Sequence, residues 1–332
     1  MKFWIGVTDN KWFEFLSARS PDEVNFWRPS GFGSFQAVPT DSLFLFKLHS
    51  PHNFIAGGGF FIKHSNVPLS LAWEAFGEKN GAASLEELRL RIEKFRAKKP
   101  REHDPVIGCT MLANPFFFER KDWIPAPSDW SSNIVQGKTY DTNQEIGRDL
   151  WIKVQERLQV SHVQQQIGKT DRTPVAAEEV ARYGAEFLTR ARLGQGAFRV
   201  LVTEAYARRC AVTGERTLPA LEAAHIKPFS KSGPNLTENG LLMRSDLHKL
   251  FDLGYISVTP ELHVEVSRKI KEEYENGRDY YALHGKELAV TPAAPKDRPS
   301  GQFLQWHNQN MYLGYSQGDK ADDQQRLARR AS

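Results

Sequence analysis

Four polar residues in the last third of this 332-residue sequence have spacing with a clear chemical meaning. Asn239 lies 14 residues after His225 and nine before His248. Asp252 follows His248 by four residues, so on a helix the two side chains share one face and could bind a divalent cation together. The imidazole of His225 titrates near neutral pH and could accept a proton from water. A proton acceptor beside a cation is what phosphodiester hydrolysis requires.

The segment 221–258 predicts the elements that must position these side chains. A short strand ends at His225, a loop rich in proline, glycine and asparagine follows, and a helix carries His248 and Asp252. Taken singly, a histidine on a strand is more often structural, and a histidine and an aspartate four residues apart are often an ordinary polar pair. The combined spacing favours a nuclease.

At these residues the sequence resembles the HNH endonucleases, the ββα-metal nucleases. The matching residues are His225-Ile226-x-Pro228, Asn239, the run from His248 to Asp252, and a lead-in at 190–215. The resemblance implies that His225 is the general base, that Asn239 pins the loop and that His248 binds the metal at the scissile phosphate. It also implies a divalent metal, and nitrogen and oxygen ligands favour Mg²⁺ or Mn²⁺.

The second metal ligand is where the sequence departs from this family. Many members place a ligand directly before the base, where this chain has Ala224. Asp252 is the first candidate to replace it. Glu222 is the second, because on a strand its side chain should alternate away from the face of His225. For His307, in the run LQWHNQN, we expect a surface or packing role rather than metal binding.

Basic residues are concentrated around this segment, although the whole chain has a formal charge of only +4. Residues 180–250 contain 11 Lys and Arg against 6 Asp and Glu, which predicts a basic patch. Such a patch suits the phosphate backbone of nucleic acid, and the alternative is a solvated helix face. The residues predicted to contact the DNA backbone are Arg190, Arg192, Arg199 and Lys227, with Arg208 and Arg209 beside them.

The first part of the chain predicts a sheet-rich domain. Residues 42–50 and 54–65 are two β-rich runs joined by a turn at 51–53, and the glycines of the second run indicate a bulge or a close approach. A helix is predicted over 84–98, where Ser84 can cap the first turn and apolar residues recur at helical spacing.

Helical patterns dominate the middle of the chain. A long amphipathic helix is predicted from Asn143 to about Gly168. Further helices are predicted at 176–193 and 198–209, with a break at Gly194-Gln195-Gly196 between them.

The N-terminal region resembles the EVE branch of the PUA superfamily, whose members are small β pseudo-barrels. The segments that carry the resemblance are 2–4, 26–38 and 42–61. It implies that a modified base is flipped into an aromatic pocket, where stacking of about 1–3 kcal/mol offsets much of the extrusion cost. For any single tryptophan, a place in the barrel core is the alternative. The predicted pocket residues are Trp27, Pro29, Phe35, Trp73, Trp123 and Trp130.

Length and composition limit the architecture and the compartment. A chain of 332 residues predicts two domains, and no apolar run or signal segment argues against a soluble, cytoplasmic protein. The two cysteines, Cys109 and Cys210, are too far apart in the sequence to form a zinc knuckle. We therefore expect a hydrophobic core to take the place of the zinc. The predicted divisions are a base reader at 1–142, a helical linker at 143–180, an HNH nuclease at 181–315 and a disordered tail at 316–332.

Together these observations predict an α+β chain with an N-terminal PUA-like β pseudo-barrel, a helical linker and a C-terminal ββα-metal HNH nuclease domain. The expected function is modification-dependent cleavage of double-stranded DNA near 5-methylcytosine or 5-hydroxymethylcytosine, with Mg²⁺ or Mn²⁺. No membrane partner is expected, and a homodimer would suit cleavage of both strands. Two alternatives stay open: a general HNH endonuclease without a modification sensor, and a nucleic-acid-binding protein whose metal site is lost at Ala224.

Overall fold

The computed structural model describes residues 1–96, 102–167 and 193–314. The chain divides into two compact units, Met1–Ala197 and Phe198–Ser332, here called unit 1 and unit 2. The helix predicted at 176–193 lies almost wholly outside the described residues, and the tail predicted at 316–332 lies wholly outside them. None of the described helices combines the length and the apolar character needed to cross a membrane.

Seven strands of unit 1 form one sheet. They are β1 (Lys2–Thr8), β2 (Glu23–Arg28), β3 (Leu43–Leu48), β4 (Phe54–Pro68), β5 (Val106–Phe117), β6 (Ile124–Pro125) and β7 (Gly137–Asp141). Their order is β2-β5-β4-β3-β1-β7, with β6 beside β4. The region is rich in β-structure as predicted. The sheet does not close into a barrel, however, because within the described residues β2 pairs only with β5 and β7 only with β1.

The predicted hairpin lies at the centre of this sheet. β3 and β4 pair antiparallel across the turn, with a shift of register along the ladder. A Cβ at Gly57 would lie 2.3 Å from the carbonyl oxygen of Phe116, which confirms the close approach expected at these glycines. Phe44 and Leu45 pack into apolar clusters on opposite faces, so β3 is buried on both sides.

Four α-helices accompany the sheet in the part of unit 1 that the structure describes. They are α1 (Asn10–Ser17), α2 (Leu69–Phe76), α3 (Leu85–Phe95) and α4 (Glu145–Ile167). Ser84 caps α3 as predicted, because its hydroxyl accepts a hydrogen bond from the N–H of Glu87 at 3.2 Å. The amphipathic pattern of α4 is also confirmed, since Leu150 and Val154 are buried in the apolar cluster on one sheet face. This helix therefore packs as part of unit 1.

A fifth helix, α5 (Gln195–Ala205), begins earlier than the sequence predicts. The flanking glycines predicted a break at this point. Within unit 1, however, the carboxylate of Glu23 accepts hydrogen bonds from the N–H groups of Gly196, at 2.8 Å, and Ala197, at 3.0 Å. A carboxylate at this position satisfies donors that the first turn of a helix leaves unpaired, so the helix can start there.

In the described part of unit 2, two short sheets pack with four further α-helices. The elements are β8 (Leu221–His225), β9 (Gly240–Arg244), α6 (Ser245–Asp252), β10 (Ile256–Val258), β11 (Val264–Val266), α7 (Lys269–Tyr274), α8 (Arg278–Tyr281) and α9 (Gly301–Asn310). One apolar cluster packs these elements together, and the free, buried thiol of Cys210 lies within it. Cys210 is thus part of the hydrophobic packing of unit 2.

His307 has the packing role that the sequence predicts. Its side chain is 1% exposed, and its ring stacks on Phe251 with ring centres 3.7 Å apart. Nε2 donates to the carbonyl oxygen of Phe251 at 3.1 Å, and Nδ1 lies 2.8 Å from the hydroxyl of Ser257. Burial lowers the pKa of His307 to about 4. A neutral imidazole therefore joins α9 to α6 and β10.

Candidate active site

The ββα hairpin of unit 2 brings the four residues first identified in the sequence into one region. β8 and β9 pair antiparallel with His225 opposite Gly240, and α6 begins directly after β9. Gly240 is needed because a Cβ there would lie 2.4 Å from the side chain of Val202 in α5. His225 ends the first strand, while His248 and Asp252 lie on the helix that follows.

His225 is oriented through one of its ring nitrogens. Nε2 donates a hydrogen bond to Oδ1 of Asn235 at 2.8 Å, and the ring stacks on Phe198 with ring centres 3.9 Å apart. Burial lowers the pKa of His225, and this effect outweighs the opposing effects of the hydrogen bond to Asn235 and of the charge of Asp252. The imidazole is therefore neutral at pH 7, and Nδ1 carries the lone pair that a general base needs.

Carboxylates lie beside both ring nitrogens of His248. Nδ1 is 2.6 Å from Oε2 of Glu222, and Nε2 is 3.3 Å from Oδ2 of Asp252. Burial alone would lower the pKa of His248, but the two carboxylates outweigh burial and raise it. The pKa values of His225 and His248 thus shift in opposite directions. His225 is therefore a neutral imidazole that can accept a proton, whereas the two carboxylates make the surroundings of His248 favourable for a cation.

Asn239 closes the loop that joins β8 to β9. Its side chain is fully buried. Oδ1 accepts from the N–H of Lys227 at 2.8 Å, and Nδ2 donates to the carbonyl oxygens of Lys227, at 3.0 Å, and Pro234, at 2.9 Å. Because Asn235 follows Pro234 directly, these bonds also hold the residue that orients His225.

Two contacts of this site were not evident in the sequence, and a third, from Glu222, was expected only as the second candidate for the missing ligand. Asn235 looks like any other polar residue of a Pro/Gly/Asn loop, and Phe198 like any other apolar helix residue. Glu222 lies closer to the site than strand alternation predicts. It shares a strand face with Ala224, the position where the family places its ligand, and its longer side chain reaches His248.

The donor atoms around His248 suit a divalent cation bound by two protein ligands. The described residues contain no group of three or more His, Cys, Asp and Glu side chains that could hold a metal. Nε2 of His248 and Oδ2 of Asp252 are 3.3 Å apart. Neighbouring ligands of an octahedral ion bound at about 2.1 Å lie roughly 3 Å apart, so the pair fits with a small adjustment. Glu222 accepts from Nδ1 and so fixes the ring, as outer carboxylates do around metal-binding histidines.

The predicted DNA-backbone residues divide between described and undescribed parts of the chain. Arg199 lies in α5, and Lys227 lies two residues beyond His225. The ammonium of Lys227 lies 5.4 Å from the ring centre of Trp306. Arg190 and Arg192 lie outside the described residues.

Two of the six predicted pocket residues, Trp27 and Pro29, line a cavity of about 360 Å³ in unit 1. We call it the aromatic cavity, and its wall includes Asp9, Trp12, Phe26, Trp27, Arg28 and Pro29. Nη2 of Arg28 lies 3.0 Å from Nε2 of His64. Burial, followed by the charge of Arg28, lowers the pKa of His64 to about 4, so this imidazole is neutral.

The other four predicted pocket residues lie elsewhere, so the expectation of a single shared pocket is corrected. Phe35 and Trp130 line two further cavities of unit 1, each of about 540 Å³. Trp73 and Trp123 line none of these three cavities. Trp123 packs against the sheet, and its indole N–H donates to the carbonyl oxygen of Phe118 at 3.1 Å. The aromatic residues serve several packing surfaces because the open sheet is covered on both faces.

Comparison with known proteins agrees with the geometry of unit 2. A family model described as HNH endonuclease matches residues 210–259, which contain β8, β9 and α6. Unit 2 contains an HNH endonuclease domain. The chain is accordingly a nuclease, and HNH endonucleases use a divalent metal ion. The match includes His225, Asn239 and His248.

Comparisons over the whole chain give two further results. A sequence search of curated proteins finds no match. Among solved structures, the chain is similar to a modification-dependent TagI restriction endonuclease at 13% sequence identity and a TM-score of 0.28, covering 90% of this chain and 78% of that one.

Proposed function

We propose that the chain is a DNA endonuclease in which His225 removes a proton from the water that attacks the scissile phosphodiester. The observation that carries this proposal is the contrast between the two histidines of the hairpin. His225 is neutral and oriented by Asn235, whereas His248 lies between two carboxylates. A neutral imidazole near pH 7 can take the proton, and a positioned base of this kind contributes about 10²- to 10⁴-fold to the rate.

In this proposal His248 and Asp252 hold the divalent ion, Mg²⁺ or Mn²⁺. When bound, such an ion supplies positive charge that stabilises the charge developing on the phosphate oxygens. Glu222 keeps the proton of His248 on Nδ1, so that Nε2 presents its lone pair beside Asp252. Asn239 keeps the loop closed and so maintains the position of the base.

We infer that the substrate is double-stranded DNA, gripped through its phosphates. The basic residues assigned to the backbone are Arg190, Arg192, Arg199 and Lys227. Each phosphate that they neutralise releases counterions, so binding should weaken steeply as salt rises. A homodimer would place two hairpins on opposite strands.

We assign the reading of a modified cytosine, 5-methylcytosine or 5-hydroxymethylcytosine, to the aromatic cavity of unit 1. Its rings, including Trp27, offer stacking surfaces for a flipped base. Asp9 offers an acceptor for the exocyclic amino group of cytosine, and Arg28 offers donors for the ring nitrogen and carbonyl oxygen.

The test of the base is metal-dependent cleavage of DNA containing 5-methylcytosine by wild type, His225→Ala and His263→Ala. His263 is an exposed histidine outside the hairpin and serves as the matched control. We expect wild type and His263→Ala to cut at similar rates and His225→Ala to cut about 10²- to 10⁴-fold more slowly while still binding DNA. If His225→Ala cut as fast as wild type, the assignment of His225 as the general base would be refuted. No cutting by wild type would favour a non-catalytic binding protein, and equal cutting of unmodified DNA would favour a general endonuclease.

A further inference from the structure

The fold of unit 1 gives no evident reason for a lysine at position 47. Lys47 lies in β3, where all six side chains are buried, and only 5% of its own surface is exposed. Strand alternation places it on the same face as Leu43 and Leu45, which belong to the apolar core. Taking an ammonium group out of water is unfavourable unless it is paired, so lysine is rarely buried to this extent without a partner of opposite charge.

The ammonium of Lys47 has only neutral partners among the described residues. Nζ donates to Oδ1 of Asn53 at 2.9 Å and to the carbonyl oxygen of Leu48 at 3.3 Å. It lies 5.3 Å from the ring centre of Trp130. Burial lowers the pKa of Lys47, and no described carboxylate offsets the effect. Lys138 in the same sheet is different, because its ammonium lies 2.6 Å from Asp129.

Lys47 also lines the cavity of about 540 Å³ that includes Trp130. We call this the lysine cavity. Among the described residues, its polar lining consists of Lys47, His49, Ser50, Asn53 and Ser132, with neither Asp nor Glu. An ammonium has three N–H donors, and the two bonds to neutral oxygens leave its charge uncompensated. A cavity with hydrogen-bond donors, a buried positive charge and no acidic side chain suits an anion.

The lysine cavity adjoins the aromatic cavity of the same unit. Val7, His49 and Val135 line both. The two cavities thus place a site for a flat ring next to a site for the groups attached to it. Nucleotides have this construction, with a base on one side of a sugar and a phosphate on the other.

We propose that the lysine cavity is a phosphate-binding subsite, in which Lys47 donates to a phosphate oxygen beside the ring of Trp130. The phosphate belongs to a nucleotide whose base occupies the aromatic cavity. The identification of the ligand as a nucleotide rests on the proposed reader function, whereas the phosphate site itself does not. Its source is either the backbone of a DNA strand or a free mononucleotide. A phosphate would provide the anion that the ammonium lacks, in a hydrogen bond strengthened by charge on both partners.

The test compares deoxycytidine monophosphate with deoxycytidine by calorimetry on the full chain, using wild type, Lys47→Met and Lys63→Met. Lys63 is an exposed lysine of β4 outside the lysine cavity and is the control. We expect wild type and Lys63→Met to prefer the monophosphate, and Lys47→Met to bind it roughly ten- to a hundredfold more weakly with deoxycytidine binding unchanged. Equal binding of the monophosphate by wild type and Lys47→Met would overturn the proposal, as would a wild type with no preference for it.

Thermal unfolding separates a binding role from a structural one. If Lys47 is an uncompensated buried charge, Lys47→Met should melt at the same temperature as wild type or higher, since an apolar side chain of similar length replaces it. Inorganic phosphate should raise the melting temperature of wild type and not that of the variant. A variant that fails to fold or melts well below wild type would show that the fold itself needs the ammonium, and would overturn the proposal.

Two further ligands identify the source of the phosphate. They also test the phosphate subsite independently of whether unit 1 reads a modified base. A duplex with one neutral methylphosphonate beside the modified base should bind wild type more weakly if the backbone supplies the phosphate. Unchanged duplex binding alongside tight binding of the monophosphate would identify a free nucleotide as the ligand. Equal affinity for the methylated and unmethylated monophosphates, both dependent on Lys47, would count against modified-base reading and leave the subsite established.

Discussion

Replacing Asn235 tests the assignment of His225 most sensitively, because it changes the base without removing it. Asn235→Ala removes the 2.8 Å hydrogen bond that Oδ1 accepts from the partly buried ring of His225. A hydrogen bond of this kind contributes about 0.5–1.5 kcal/mol net, so single-turnover cleavage should slow by about twofold to twelvefold. That loss is far smaller than the roughly 10²- to 10⁴-fold expected for His225→Ala. DNA affinity should not change.

The pH profile of the same variants gives a signature that a purely structural role would not produce. Cleavage requires neutral His225, so the rate rises as pH rises through its pKa. The hydrogen bond that His225 donates to Asn235 raises that pKa, so Asn235→Ala should move the acid limb to lower pH. Asn235→Asp places a carboxylate beside the ring and should move the limb to higher pH. The assignment would be refuted if the acid limbs of wild type and the two Asn235 variants coincided. It would also be refuted if Asn235→Ala slowed cleavage as much as His225→Ala does.

Three further predictions concern metal binding, acid stability and base reading. Asp252→Asn should raise the Mg²⁺ concentration for half-maximal cleavage more than Glu222→Gln does, because we assign Asp252 as a ligand and Glu222 as its support; the reverse order in a metal titration would exchange the roles. The unfolded chain binds a proton at His307 near pH 6.5, but the folded chain binds it only near 4. As the pH falls from 6.5 to 4, the free energy of unfolding should therefore decrease by roughly 3 kcal/mol. Chemical unfolding of His307→Gln should show a weaker dependence of this free energy on pH. Trp27→Ala should reduce the preference for modified DNA in competition binding, whereas Trp73→Ala, outside the cavities described above, should not.

The hairpin could be predicted from sequence because its information is local. His225, Asn239 and His248 lie within one short segment, and the helical spacing of His248 and Asp252 sets their relation directly. The contact that orients the base could not be predicted in this way. Asn235 reaches His225 only because Asn239 closes the loop in one conformation.

In unit 1 the local sequence predicted individual elements but not their arrangement. Alternation and turn residues located β3, β4 and the cap at Ser84, but they do not determine how the sheet edges pair. The aromatic residues divide among three cavities and two core faces because several surfaces of one sheet need large apolar side chains. The early start of α5 depends on Glu23, a residue 173 positions away from Gly196 in the sequence.

The most direct test of the whole account is single-turnover cleavage of three matched DNA duplexes that differ only in carrying cytosine, 5-methylcytosine or 5-hydroxymethylcytosine at one position. The reaction contains wild-type chain and Mg²⁺ or Mn²⁺. We predict metal-dependent cutting of a modified duplex at a rate well above that of the unmodified one. Equal rates on all three duplexes would contradict the assignment of a modified-base reader to unit 1, and absence of cutting on all of them would contradict the nuclease mechanism built on His225.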